Sequence, residues 1–178
     1  NWTLPLNVIM VEITFGGSNA AMCHGAGIKH KTLSDLVTEV EFVNAMGEIQ
    51  TVSDPVLLKA AAGCLGMLGI VTSLTIKLDP MTYANMKPIK KRIGLTIPPP
   101  KGMSNINQID MSGISESDKE EALREFISCC ENKYYSEWFW FPYQPDCWIN
   151  TWNNDGDEDN AFDYPTFQES KKQNRQQF

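Results

Sequence analysis

Basic residues are scarce in this chain. Fifteen Lys and Arg stand against twenty-two Asp and Glu, for a net charge of -7. The densest basic clusters, Lys29-His30-Lys31, Lys90-Lys91-Arg92 and Lys171-Lys172, are short. Binding to a phosphate backbone needs Lys and Arg gathered on one surface, so nucleic acid is excluded as a partner. Histidine is scarcer still, with only His24 and His30. The five cysteines (Cys23, Cys64, Cys129, Cys130 and Cys147) follow no zinc-like spacing, and no metal site is expected. Their odd number also speaks against a disulfide framework and leans towards an intracellular setting. No apolar run reaches the roughly 18 residues of a membrane-spanning helix. The opening residues, Asn1-Trp2-Thr3-Leu4-Pro5, show neither a basic n-region nor an apolar h-region. There is no initiator methionine and the polar stretch 171–178 closes no structural unit, so the chain reads as a fragment with sequence missing at both ends.

What is present is a globular composition, 42% hydrophobic with a mean hydropathy of -0.29. Its most informative segment is Thr14 to Gly27, with four glycines, three alanines and no Asp, Glu, Lys or Arg. It follows an apolar stretch, Val8 to Ile13, that reads as a buried strand. Glycine permits positive φ and leaves no side chain between a ligand and the main chain. Successive N–H groups facing one way form a nest for anions such as phosphate. The segment therefore reads either as a cradle for a phosphorylated cofactor or as a tight, close-packed turn between strands.

Downstream, Leu36 to Val43 alternates as a half-buried strand, with Leu36, Thr38, Val40 and Phe42 on one side. Asn44-Ala45-Met46-Gly47 turns, and Glu48 to Val52 returns as the second arm of a hairpin. Asp54-Pro55 starts a short helix by capping and by proline at the first helical position. Its inward residues are expected to be Val56, Leu57, Ala60 and Ala61. Gly63, Gly66 and Gly69 interrupt it, and Ile70 to Leu78 reads as a strand. Strand character returns at Lys91 to Ile97, before Pro98-Pro99-Pro100 breaks any element. Ser115 or Ser117 can cap a helix from Glu116 to Asn132, with Ala122, Phe126 and Cys130 on one face and Leu123 and Ile127 beside it. Tyr134 to Tyr143 and Asp146 to Trp152 read as two strands. Alternation puts Trp138 and Trp140 on one face of the first and Phe139 and Phe141 on the other. This aromatic stripe is either a core strand or a strand with one face lining a substrate cavity.

Three landmarks fall in order: Gly16-Gly17 shortly before His24-Gly25, then Leu33-Ser34-Asp35-Leu36-Val37, then Gly69-Ile70-Val71-Thr72. In this order the chain resembles the flavin-binding domain of the vanillyl-alcohol-oxidase family, the PCMH-type FAD domain, over about Asn7 to Pro80. Tyr135-Ser136-Glu137-Trp138-Phe139-Trp140-Phe141-Pro142-Tyr143 resembles the first cap strand of the branch that holds sugar-lactone, alditol and flavin-linked cholesterol oxidases. The resemblance implies an α+β fold. Residues 1–82 would form the second half of the FAD-binding domain, mainly antiparallel sheet with flanking helices. Residues 83–178 would form a linker and the start of an α+β cap domain.

The resemblance also implies FAD as cofactor and oxidation of a CH–OH group in a small-molecule alcohol, with oxygen or another acceptor taking the electrons. The cofactor contacts it implies are Thr14, Gly16, Gly17, Ser18, Cys23, Gly25, Ala26 and Gly27. Main-chain N–H groups would do most of the binding, and Thr14 and Ser18 would add hydroxyls. Gly69 and Ile70 would approach the cofactor again. Cys23 stands where relatives often have Thr, which replaces a hydroxyl with a weak donor. The histidine that many relatives join to the flavin would precede Asn1, so His24 is not given that role. The family's catalytic groups would fall beyond Phe178, and no catalytic residue is assigned. Glu137 is left between two readings, facing a substrate hydroxyl or facing solvent on an edge strand. The rival to the enzyme reading is a truncated remnant that acts as a packing or interaction module.

Overall fold

The computed structural model describes residues 1–6, 13–97, 109–141 and 143–162, together with Gln168. Most of the strand expected at Val8 to Ile13 and the Pro98-Pro99-Pro100 break lie outside the described residues. The architecture is α+β, with antiparallel sheets and a few helices. The chain divides into two compact units. The first takes residues 1–25 and 30–81 with the residues from Asp157 on, and the second takes residues 26–29 and 82–156.

In the first unit, β1 (Trp2–Thr3) pairs with β5 (Asp79–Pro80) as a short ribbon. The main sheet has the order β3-β2-β4, from Val37–Val43 (β2), Ile49–Val52 (β3) and Ile70–Ile76 (β4), all antiparallel. Asn44 closes the hairpin. Its side-chain Oδ1 accepts from the N–H groups of Met46 (2.9 Å) and Glu48 (3.0 Å), and Gly47 takes a φ of 78°. The alternation expected along β2 breaks near its start. Leu33–Leu36 forms a 3-10 turn in place of the first strand residue, and the register shifts between Val37 and Glu39. The core face is therefore Val37, Val40 and Phe42, with Thr38 exposed. A second shift leaves Thr72 as a bulge residue between Ser73 and Val71, and its hydroxyl donates to the Glu41 carboxylate at 2.7 Å.

Helix α2 (Pro55–Ala61) starts where Asp54 and Pro55 place it. The Asp54 carboxylate accepts from the N–H groups of Val56 (2.9 Å) and Leu57 (3.0 Å). Its inward face differs from the sequence expectation. Leu58 and Ala61 pack on Val37, Val40 and Phe42, while Val56 and Leu57 remain 73% and 56% exposed and Ala60 is exposed as well. Two contacts three residues apart suffice for so short a helix, and the sheet it covers is only three strands wide.

The second unit is a sheet centred on β9 (Asp146–Asn153). On one side β9 pairs with β8 (Tyr135–Trp140), and on the other with β6 (Asn85–Met86) and β7 (Ile89–Arg92). The strand expected at Lys91 to Ile97 begins earlier and stops at Arg92. There Ile93–Leu95 closes a 3-10 turn, with the Thr96 hydroxyl donating to the Arg92 carbonyl at 2.9 Å. Helix α3 (Glu116–Asn132) starts on a Ser115–Asp118 capping box. Ala122 is buried and Phe126 meets Trp138, with ring centroids 4.9 Å apart. Leu123 and Ile127 lie off this face and are exposed.

In the first unit, the backbone around Gly69 admits no side chain there. Gly69 has a φ of 134°, and a Cβ there would lie 2.0 Å from the Val43 carbonyl oxygen. Gly47 also has positive φ, but open space surrounds its Cβ position. Gly47→Ala is therefore expected to cost about 1 kcal/mol, the left-handed penalty alone. Gly69→Ala is expected to cost about 3 kcal/mol or more, because backbone must move. Equal shifts in thermal midpoint for the two variants would contradict this packing.

Candidate functional site

The glycine-rich segment does not form an open loop throughout. Phe15–Ala20 is a short helix, α1, and Thr14 caps it by accepting the Gly17 N–H on its hydroxyl oxygen at 3.1 Å. Two adjacent glycines disfavour a helix, so the cap and the packing behind it hold the turn. Part of that packing is the Asn19 carbonyl, which accepts from the N–H groups of Met22 (3.2 Å) and Gly63 (2.9 Å) and from the Ser34 hydroxyl (3.4 Å). Gly17 leaves little room, since a Cβ there would sit 3.3 Å from the Thr14 hydroxyl oxygen.

After α1 the chain turns at Met22, a non-glycine residue with a φ of 51°. The Cys23 N–H donates to the Ser18 carbonyl at 2.9 Å, and its carbonyl accepts from Leu33 at 3.2 Å. His24 bridges to Thr32, and its Nδ1 lies 2.9 Å from the Gly25 carbonyl, a local contact that fixes the ring in this turn. Gly27 has a φ of 132°, which a side chain rarely adopts. Three of the expected main-chain donors, on Gly17, Cys23 and Ala26, are thus engaged inside the protein. Gly17 meets Thr14, Cys23 meets Ser18, and Ala26 meets the Tyr135 hydroxyl. Gly69 donates its N–H to the Gly66 carbonyl at 3.2 Å, and the Ile70 side chain is exposed.

The polar atoms left over on α1 are buried. Ser18 and Asn19 are 1% and 2% exposed, and neither Ser18 Oγ nor Asn19 Nδ2 has a hydrogen-bond partner. Such atoms are costly unless something completes them. Both can donate, so they suit a ligand rich in acceptor oxygens and nitrogens, as a flavin dinucleotide is. The residues present in this segment fit such a group.

In the second unit the two faces of the sheet part company. Ser136 and Trp138 face α3, where the Ser136 hydroxyl donates to the Cys129 carbonyl at 3.0 Å. Cys147, Ile149 and Thr151 of β9 are buried on that side. A cleft of about 590 Å³ runs between α3 and the sheet, lined by Ile89, Leu95, Phe126, Trp138 and Ile149, with Lys91 paired to Glu125 across it. The opposite face carries Tyr135, Glu137 and Phe139. The Tyr135 hydroxyl donates to Glu137 Oε1 at 2.9 Å, and its ring stacks on Trp152 with centroids 3.7 Å apart. Burial pushes the Tyr135 phenol well above its ordinary value, and the Glu137 carboxylate adds to the shift.

Sequence reasoning passed over Asn19 and Tyr135. Asn19 sits beside a residue already singled out. Tyr135 lies two positions before Glu137, on the same face of one strand. Among the described residues no group of three His, Cys, Asp or Glu side chains is arranged to hold a metal ion. No helix among them is long and apolar enough to cross a membrane.

Ser18→Ala removes a buried hydroxyl that has no partner. It is expected to leave the thermal midpoint unchanged or to raise stability by about 1 kcal/mol. Calorimetric unfolding checks this, and a clear loss of stability would mean that the hydroxyl is satisfied within the fold.

Two oxidases are among the known proteins that match the chain in sequence. Over 72 residues the chain is 38% identical to the "Putative D-arabinono-1,4-lactone oxidase" of Neurospora crassa, covering 39% of this chain and 13% of that protein. Over 78 residues it is 36% identical to an alditol oxidase of a Streptomyces species, covering 43% of this chain and 19% of that protein. The fold is similar to a solved structure of cholesterol oxidase from Brevibacterium sterolicum, a histidine-to-alanine mutant. The TM-score is 0.59 over 92% of this chain and 30% of that one, at 20% identity. No family model matches the chain. The chain thus spans less than a third of each of these proteins. Over part of its length, then, this chain is similar in sequence to a lactone oxidase and an alditol oxidase, and it shares its fold with a cholesterol oxidase.

Proposed function

We propose that this chain is part of an FAD-dependent oxidoreductase acting on the CH–OH group of a sugar lactone, polyol or sterol-like alcohol. The observation that carries the reading is the pair of buried, unpartnered donors on α1, Ser18 Oγ and Asn19 Nδ2, inside the glycine-rich segment. In this reading residues 1–82 are the second half of the FAD-binding domain and residues 83–178 open the cap domain.

The residues that would hold FAD are Thr14, Gly16, Gly17, Ser18, Cys23, Gly25, Ala26, Gly27, Gly69 and Ile70, and Asn19 joins them. They do so in different ways. Ser18 and Asn19 would donate from their side chains. Gly16, Gly25 and Gly27 would allow close approach to the main chain. Thr14, Cys23 and Gly69 would act by shaping the segment, since their bonds close its turns. Ala26 would act by fixing the segment to Tyr135, and Ile70 by lending an apolar surface. No Lys or Arg occurs before Lys29, so negative charge on the ligand would be met by neutral dipoles, which are strong where water is excluded. Bound FAD supplies the two-electron chemistry of alcohol oxidation, and oxygen or another acceptor takes the electrons.

The test is to express the full parent reading frame that contains this chain, titrate the protein with FAD and record the visible spectrum. A peroxide assay on a lactone, an alditol and a sterol follows. Gly17→Val is expected to lower flavin occupancy at least about fivefold, because it crowds the Thr14 cap, whereas Glu137→Gln retains it. Ser18→Ala is expected to weaken flavin binding without loss of fold. A folded protein that takes up no flavin, or equal occupancy in the Gly17 and Glu137 variants, would overturn the assignment.

A further inference from the structure

The face of the second unit's sheet that α3 leaves uncovered has an ordered pattern. Cross-strand register arranges its side chains in rows. Tyr135 stands opposite Trp152 and then Met86, Glu137 opposite Asn150, and Phe139 opposite Trp148 and then Lys90. A polar row is thus bracketed by two aromatic rows, each about 7 Å away, two residues along the strand. Within the polar row Glu137 is half-buried, with Oε1 taken up by the Tyr135 hydroxyl, which itself receives the Ala26 N–H. Asn150 Oδ1 is buried with no hydrogen-bond partner. Trp148 is 47% exposed.

We propose that Glu137 and Asn150 form a recognition pair for adjacent hydroxyls of a neutral polyol or sugar lactone, with Phe139 and Trp148 as its apolar platform. This rests on the oxidoreductase reading above and names the substrate class within it. The second carboxylate oxygen of Glu137 and the Asn150 carbonyl oxygen are both acceptors. Two neighbouring hydroxyls supply two donors. Hydrogen bonds to a charged acceptor are the stronger kind, and Tyr135 holds that acceptor in place. Aromatic rings offer flat surfaces for the C–H faces of a small ring.

The charges nearby favour a neutral ligand. Lys90, the basic group opposite Trp148, lies 3.6 Å from Asp146, whose carboxylate offsets its charge beside the row. A sterol is a poorer match, because its single hydroxyl would leave one acceptor bare and its fused rings would run across the polar row.

The experiment is calorimetric titration of the full chain with three probes: D-arabinono-1,4-lactone, a five-carbon alditol and detergent-dispersed cholesterol. The lactone and the alditol are expected to bind saturably, and cholesterol not. Glu137→Gln is expected to weaken the polyhydroxylated probes tenfold or more. Tyr135 would keep the amide oxygen and leave the amide N–H₂ towards the ligand. Asn150→Ala, read in parallel with a thermal melt of each variant, is expected to weaken them likewise. Unchanged affinity in a folded Glu137→Gln or Asn150→Ala variant would overturn the proposal. So would saturable cholesterol binding with none of the lactone or alditol, or a folded chain that binds no probe. Flavin absorbance is read on the same samples. Its absence alongside intact lactone binding would count against the cofactor reading and leave this site standing.

Discussion

One main-chain oxygen, that of Asn19, gathers the connections of the first unit. It receives the N–H of Met22 at the end of α1, the N–H of Gly63 after α2 and the hydroxyl of Ser34 before β2. Three separate stretches of chain meet at this acceptor. A glycine-rich helix of one and a half turns has little stability of its own. It is held because its last turn is tied to residues that the β2–β4 sheet already positions. Leu65 repeats the arrangement by donating to the Ala20 carbonyl at 3.2 Å. The buried donors on Ser18 and Asn19 are therefore held in a fixed frame.

The second unit solves a different problem. A sheet with one helix has one face packed against that helix and one face turned away from it. Here β9 is paired on both edges, so its main-chain groups are satisfied and its side chains can be given over to the two faces. The α3 side takes the small and aliphatic residues Cys147, Ile149 and Thr151, which are almost fully buried. The other side takes Trp148, Asn150 and Trp152. The division is legible as strict alternation along a single strand, and it leaves the larger side chains, Trp148 and Trp152, on the side away from α3.

Much of this was legible in the sequence, and the exceptions have physical causes. Helix α3 runs over the span its capping serine and acidic first turn indicate, and the β2–β3 hairpin and α2 start where Asn44-Ala45-Met46-Gly47 and Asp54-Pro55 place them. These are local signals, carried by caps and turns. The inward face of α2 was not legible, because seven residues give too short a period to choose between Val56 and Leu58. Strand β2 was misphased by an irregularity that arises only when β4 pairs with it. Helix α1 was hidden for the opposite reason: its residues argue against a helix, and contacts with distant segments impose one. In the aromatic stripe, period-two spacing separated the faces correctly, but which face met a helix depended on Phe126 and Cys129, far from the stripe itself.

Residues 26–29 belong to the second unit, while the chain on either side of them belongs to the first. This threading has a consequence for how the molecule assembles. Residues 26–29 and the β8–β9 hairpin belong to one unit but lie about a hundred positions apart, so the second unit can gather its parts only once β8 and β9 have been made. The β2–β4 sheet of the first unit has all its strands well before then.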